Sequence, residues 1–402
     1  MRVKVLTISD NPNLETGQGK IHRYICLGLK SKGFDVVSIG WGENSKNICD
    51  WVIYTAKRES YFGETIFDKV ICQERPDIVL TIGDIWNFRY ICNSQTRKSF
   101  LWVGYTAIDG EVYGGGIPPT WVDIFNDMDN IVTYTQYGKN AILKSYPVDP
   151  CKISVIPHGV DLQKFNTFTK EQKFVTRKKY GIPEDIIIYL LVARNQFRKN
   201  IPEIFKAWSE FKKNNAVSKA FLWPHMLFKD LFGNNLEEII KICGVGDSLM
   251  FFENFASAQS NLDTVSNEMM NELYNMSDVV MLISGEGFGF PIVEAMACSK
   301  PLIVLNHSAC QELVKGIGEL VEVKYYVTGV HSTERPYPDE KSLIEKFNKL
   351  YYNEELREEY GKLGFKKAVN LYDWCIVYDL WGKFLHKIID PFSTECYLEK
   401  IS

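Results

Sequence analysis

The sequence predicts an α/β protein with two doubly wound parallel-sheet domains, and three observations predict it. Strand-like apolar runs alternate with helix-like segments along nearly the whole chain, which is the pattern of linked βαβ units. The length of 402 residues exceeds what one ordinary core organises, so two domains follow. The runs themselves, such as D-V-V-M-L-I-S at 278–284, are continuously apolar rather than alternating, as in strands covered on both faces.

In the first half, strands are predicted at 3–8, 35–39, 77–82, 100–105 and 131–135, with helical periodicity at 21–32 and 64–74. A last strand at 152–156 runs into Pro157-His158-Gly159-Val160-Asp161. A polar stretch over 166–179 separates this half from a second series, with strands at 186–193, 219–223, 249–252, 278–284 and 301–305. Residues 256–267 and 331–339 are polar and read as surface loops or insertions. Near the end, Trp374, Val377, Leu380, Trp381, Phe384, Leu385, Ile388 and Ile389 follow helical spacing and give an amphipathic helix. The expected domains are 1–160 and 161–373, with a C-terminal helix within 374–402.

Composition narrows the function. Apolar residues are 46% and charged residues 24%, ordinary for a soluble globular protein. A net charge of −4 gives no general attraction to nucleic acid, so no nucleic-acid partner is expected. Ten cysteines are scattered without a C-x-x-C pair, which fits reduced thiols better than a disulfide framework or a zinc site. The N-terminal M-R-V-K-V-L-T-I-S reads as a strand rather than a signal peptide, and no apolar run reaches membrane-spanning length. The expected location is cytoplasmic.

The chemistry concentrates after the strand at 278–284. There S-G-E-G-F-G-F-P-I-V-E-A-M-A supplies a glycine-punctuated loop and then Pro291, suited to a helix's first turn. Amides of Gly287, Phe288 and Gly289, with the helix N-terminus, suit an anion. Glu286 and Glu294 bracket the turn with seven residues between them, so they can reach different parts of one ligand. A strand ending at V-A-R-N-Q-F-R-K-N sets Arg194 and, five residues on, Lys199 in a loop, with Arg198 as a competing cation. Gly17 and Gly19 in T-G-Q-G-K follow the first strand and permit close backbone approach to a ligand. Asp109 opens the loop D-G-E-V-Y-G-G-G-I-P-P, where a plain turn aspartate is the alternative.

The E-x7-E string in this context resembles the retaining, GT-B-type glycosyltransferases of family 4. The resemblance covers nearly the whole chain and is strongest in the second half. It implies two Rossmann-like domains facing across a cleft, with the nucleotide sugar on the C-terminal side, most of the acceptor on the N-terminal side, and the last helix crossing back. It further implies transfer from a nucleoside-diphosphate sugar, such as a GDP- or UDP-sugar, to an acceptor hydroxyl with retained configuration and no metal. The acceptor would be a glycan, a lipid-linked acceptor or a small molecule. Glu286 would lie at the sugar, with Gly287, Phe288 and Gly289 orienting sugar and phosphate and Glu294 on the ribose. Arg194 and Lys199 would clasp the diphosphate, where fixed cations stabilise the charge of the leaving group. Gly17 and Gly19 would face the donor across the cleft, and Asp109, in a Y-x-x-x-D-G context, would steady the anomeric centre or the acceptor.

Rival readings are a glycosidase using Glu286 and Glu294, a silent binding module of the same fold, or a strand–loop–helix unit with incidental acids. Retaining glycosidases need carboxyl groups about 5–5.5 Å apart across the bond, whereas two residues of one short unit line one side of a ligand. His158 fits a structural place at the domain junction better than a proton-transfer role. The histidines show no metal spacing. Asp127-Met128-Asp129 has the D-x-D form used for metals in another glycosyltransferase fold, but lies before a strand, so a solvated helix end is expected. Lys139, Ile142, Leu143, Lys144 and Lys152 offer a weak peripheral membrane contact or a solvated helix face. Asn254, Phe255 and Phe288 are candidates for base and sugar choice.

Overall fold

The computed structural model describes residues 2–42, 48–56, 62–145, 148–216, 218–228, 230, 233–251 and 265–390. Its first half carries β1 (Lys4–Asp10), β2 (Asp35–Trp41), β3 (Ile53–Ala56), β4 (Ile78–Ile82), β5 (Leu101–Thr106), β6 (Asn130–Thr133) and β7 (Ile153–Val155). They form one sheet in the order β3-β2-β1-β4-β5-β6-β7, and every pairing is parallel. The second half carries β8 (Ile187–Val192), β9 (Ala220–His225), β10 (Val279–Leu282), β11 (Leu302–Leu305) and β12 (Glu319–Val321). Their order is β12-β11-β10-β8-β9, again all parallel. These are the two Rossmann-like, doubly wound domains that the alternation of strand and helix predicts.

Continuous apolar strands are what such sheets need. Val279, Val280, Met281 and Leu282 of β10 are all buried, as are Ile188, Tyr189, Leu190 and Leu191 of β8. Pro224, which cannot donate to a ladder, falls in β9 at the sheet edge, where a missing N–H is tolerated.

Four expectations change. The short β3 has no apolar run long enough to stand out, and among the described residues its ladder partner is β2. Of the strand expected at 249–252, residues 249–251 show one isolated bridge, between Leu249 and Leu222, and residue 252 lies outside the described residues. Within the polar stretch 166–179, Lys170–Lys179 is a helix started by a capping box between Thr169 and Gln172. The surface loop expected at 331–339 contains β14 (Glu334–Pro338), which pairs antiparallel with β13 (Val323–Thr328).

The helix Trp374–Ile389 returns to the first domain and packs on the helix Gly17–Ser31. Trp374 stacks on Tyr24 with ring centroids 4.8 Å apart, and Lys32 pairs with Asp379. The contact at Gly28 is so close that a Cβ there would lie 2.3 Å from the Tyr378 ring. Elsewhere between the halves, the Glu312 carboxylate accepts from the amides of Gln136 and Tyr137 at 2.9 and 2.8 Å, capping the helix Gln136–Leu143 from the opposite domain.

Candidate active site

In open parallel sheets, ligands bind beyond the carboxyl ends of the strands, at the point where strand order reverses. The second sheet reverses between β8 and β10. The loop after β8 carries Arg194, Arg198 and Lys199, and the loop after β10 carries Glu286 to Gly289. The two loops therefore meet at the place topology assigns to a ligand.

Glu286 and Lys199 form a buried ion pair there, their side chains 13% and 8% exposed. The Ser284 hydroxyl donates to the same carboxylate oxygen at 2.5 Å, and Arg198 approaches it at 3.6 Å. The Glu286 amide donates to Ser308 Oγ at 3.0 Å, fixing the loop from below. Burial pushes the Glu286 carboxyl up, but Lys199 and Arg198 outweigh it and hold the group at about 2. Burial also presses the Lys199 ammonium down while Glu286 pulls it back. The carboxylate charge is the better secured of the two, because two cations face it.

The helix Phe290–Ala297 starts directly after this loop, with Gly289 as its N-cap and Pro291 in its first turn. Gly287 passes so close to the first domain that a Cβ would lie 2.6 Å from Ala107 Cβ. Phe288 turns its ring inward onto His158, centroids 4.9 Å apart, so only its backbone is offered to a ligand. Glu294 accepts from the buried Tyr274 hydroxyl at 2.7 Å through Oε2, while burial raises its carboxyl above the usual range. Arg194 does not join Lys199: its Nε donates to Asp230 at 2.7 Å, with the arginine side chain 56% exposed. Arg198, the competing cation, is the one that reaches Glu286.

Across the cleft, Thr16 caps the helix Gly17–Ser31 by accepting from the Gly19 amide at 3.0 Å. Gly17 and Gly19 thus open that helix. Asp109 accepts from Arg335 Nη1 at 2.6 Å, an ion pair spanning 226 residues of sequence. Arg335 stands on β14, and the hairpin is fastened to the first domain beside it. The Glu334 amide donates to Glu111 O at 2.7 Å, Thr333 bridges Val112, and His331 stacks on Trp86 at 4.1 Å. Asn200, next to Lys199, ties the hairpin to the end of β10 within the second domain by donating to Ile283 O at 2.9 Å and Pro336 O at 3.1 Å. Near Asp109 lies Asp84, whose carboxyl burial and Asp109 together raise to about 6, against the pull of Arg198 and Arg335.

Of these, Arg335, Asp84, Asn200, Ser308 and Tyr274 escaped the sequence reading. Asp84 alone had a local signal, a Gly-Asp pair directly after an apolar strand.

Several other expectations fall elsewhere. Asp127 and Asp129 each bind Arg97 at 3.0 Å, and Asp129 also accepts the Trp102 amide at 2.7 Å. They clamp an arginine rather than forming a merely solvated helix end. Among the described residues no cluster of His, Cys, Asp and Glu has the form of a metal site. Of the proposed membrane face, Ile142 is buried, Lys144 pairs with Glu111 at 2.7 Å, and Lys152 bonds the carbonyls of Asn126 and Met128. Leu143 and Lys144 remain exposed on this face. No helix among the described residues is long and apolar enough to cross a membrane. His158 is buried between Tyr134, Phe288 and Phe290 and bonded to the Tyr105 hydroxyl at 2.8 Å, as a junction residue. Asn254 and Phe255 lie outside the described residues.

Residues 172–367 match the family model described as Glycosyl transferases group 1, just under half of the chain. The D-inositol 3-phosphate glycosyltransferase of Geodermatophilus obscurus is 26% identical over 204 residues, 49% of this chain and 42% of that protein. The mannosylfructose-phosphate synthase of Agrobacterium fabrum is 22% identical over 254 residues, 62% of this chain and 51% of that protein. The chain therefore spans about half or less of the length of these curated relatives. Among solved structures, a glycosyltransferase from Rickettsia africae superposes with a TM-score of 0.75 at 17% identity, covering 98% of this chain and 100% of that one. The Anabaena HepE protein in complex with UDP-glucose gives 0.72 at 13% identity, covering 96% and 100%. The structural likenesses show a GT-B fold. With the domain match, they support a glycosyltransferase.

Proposed function

We propose that the protein is a retaining glycosyltransferase of family 4 that moves a hexosyl group from a nucleoside-diphosphate sugar to an acceptor hydroxyl, without a metal. The observation that carries this is the Lys199–Glu286–Arg198 cluster at the reversal point of the second sheet, beside the N-terminus of the helix Phe290–Ala297. A neighbour of the same fold solved with UDP-glucose supports a nucleotide sugar as donor.

In this reading the diphosphate lies against the helix N-terminus and the amides of Gly287 to Gly289. Arg194, whose own side chain is 56% exposed, turns from Asp230 to meet it. Lys199 and Arg198 answer the charge that grows on the leaving phosphate. Glu294 holds the ribose hydroxyls. Glu286, kept ionised, accepts from sugar hydroxyls, and Asp109 stands on the acceptor side of the anomeric carbon. The acceptor oxygen attacks from the face the diphosphate leaves, so configuration is retained without a protein nucleophile.

The test is thermal stabilisation by GDP, UDP and ADP and their sugar conjugates, with Arg194→Ala and Glu294→Ala alongside. A ligand that binds only the folded state raises apparent stability with concentration and affinity. One nucleotide family is expected to stabilise the wild type and, at the same concentration, to stabilise both variants markedly less. No shift with any of them would overturn the donor site.

A further inference from the structure

The chain passes between its two domains twice, and the two crossings pair with each other. Val160 bridges Asp373, and the Val160 amide donates to Tyr372 O at 2.6 Å. Two crossings side by side are the arrangement of a hinge, so the spacing of the domains has to be set elsewhere.

The β13–β14 hairpin is fastened at both of its ends. Its root belongs to the second domain, where Asn200 donates to Pro336 O at 3.1 Å and the Asp339 amide donates to Glu322 O at 2.7 Å. Its far end belongs to the first domain, through four contacts of different kinds. Arg335 holds Asp109 at 2.6 Å, the Glu334 amide donates to Glu111 O at 2.7 Å, Thr333 bridges Val112, and His331 stacks on Trp86. All four partners stand on the loops that follow β4 and β5. The main chains meet closely as well. A Cβ at Gly110 would lie 2.8 Å from Glu334 O, and one at Gly285 would lie 2.9 Å from Asp109 O. Glycine on each side of the cleft permits that approach.

The tip is bent to make these contacts. His331 and Ser332 are successive non-glycine residues in the left-handed region, at φ 62° and 60°. Such backbone costs free energy and persists where its surroundings impose it. Here the surroundings include the first domain, since the His331 and Trp86 ring centroids lie 4.1 Å apart. An undocked tip would relax, so the docked hairpin is held against a restoring tendency and is poised to release. Every partner in the set is a protein group, and none of the contacts waits for a ligand.

We propose that the β13–β14 hairpin is a clasp that holds the two domains shut in the ligand-free chain, so that the resting cleft is closed and the open cleft is the minor state. This goes beyond the transferase reading and does not rest on it. A ligand that enters only the open cleft then binds more weakly in proportion to the open fraction.

The experiment is hydrogen–deuterium exchange of the full chain without any nucleotide, read by mass spectrometry on short peptides. Protected amides exchange through opening, so their rates report the open population. The peptides are the hairpin, the loop 109–116, the segment with Gln136 and Tyr137, and the strands β4 and β10 as internal standards. In the wild type the first three are expected to exchange slowly. Arg335→Gln removes the ion pair from the hairpin side. Gly110→Ala wedges the same contact from the other side with one methyl group, at a position outside the left-handed region. Each variant should speed exchange in all three segments together by about tenfold or more, with β4 and β10 unchanged. Gln136 and Tyr137 discriminate best, because their amides bond Glu312 rather than the hairpin. Unprotected rates in the wild type, no acceleration in the variants, acceleration confined to the hairpin, or acceleration shared by β4 and β10 would each overturn the inference. With no nucleotide in the experiment, its failure is separate from failure of the donor site.

Discussion

Glu286→Gln tests the centre of the site, because it removes one charge of a buried pair and strands the other. The Glu286 carboxyl stands at about 2 in the folded chain against 4.5 unperturbed. At 1.36 kcal/mol per pKa unit, that is on the order of 3 kcal/mol of stabilisation. Because the folded pKa is depressed, the stabilisation is complete above pH 4.5 and is lost as pH falls through about 2. Lys199 left alone with 8% of its side chain exposed adds a desolvation cost, and breaking such pairs typically costs about 3–5 kcal/mol. The variant should therefore lower the unfolding temperature of the domain that carries the pair by roughly 6–12 °C at pH 7. Calorimetry resolves that transition even if the two domains melt separately. The difference from wild type should shrink as pH approaches 2. A Lys199→Met, Glu286→Gln double variant should lose less than the two single losses added, since no charge is left stranded. A loss below about 1 kcal/mol in the single variant, or simple additivity in the double, would refute the account.

Three further outcomes follow from particular contacts. Arg194→Ala should cost about 1–3 kcal/mol of stability, because it takes a cation from Asp230, whose side chain is only 3% exposed, and should weaken nucleotide binding about tenfold by calorimetric titration. Gly28→Val should drive a side chain into the Tyr378 ring, destabilise by about 1–3 kcal/mol or more, and expose the helix Trp374–Ile389 to limited proteolysis. Burial holds His158 at about 3, below its ordinary 6.5, so its contribution is complete above pH 6.5 and is lost as pH falls toward 3. His158→Phe, which keeps an aromatic ring against Phe290, should flatten the fall of the urea midpoint between pH 6.5 and 4. An unchanged slope would remove His158 from the acid response.

What the sequence showed, it showed through local rules. Apolar strands buried on both faces are continuous in sequence, so nearly every strand of both sheets could be found without a partner in view. The loop carrying Glu286 announced itself because glycine, proline and acid occur within one turn of each other. β3 and β12 were missed because edge strands need less apolar character, and 249–251 was overread because an apolar run alone does not supply a ladder. The choice between Arg194 and Arg198 as the partner of Glu286 was not legible either. The two lie four residues apart in one loop, and only the position of Asp230 draws Arg194 away.

The hairpin shows why the rest stayed hidden. V-K-Y-Y-V-T-G-V-H-S-T-E-R-P-Y-P has prolines where a strand should donate, and side chains half exposed along β13, so it obeys the rules of a loop. Its order comes from elsewhere: Arg335 from Asp109, Glu334 from Glu111, and His331 from Trp86, all in the other domain. Each partner lies more than two hundred residues away, and none leaves a mark at 323–338 that periodicity could detect. Once the hairpin is in place, Arg335 is committed to the Asp109 carboxylate of the first domain. A segment that reads as filler thus fastens the second domain to the loops that follow the first domain's strands.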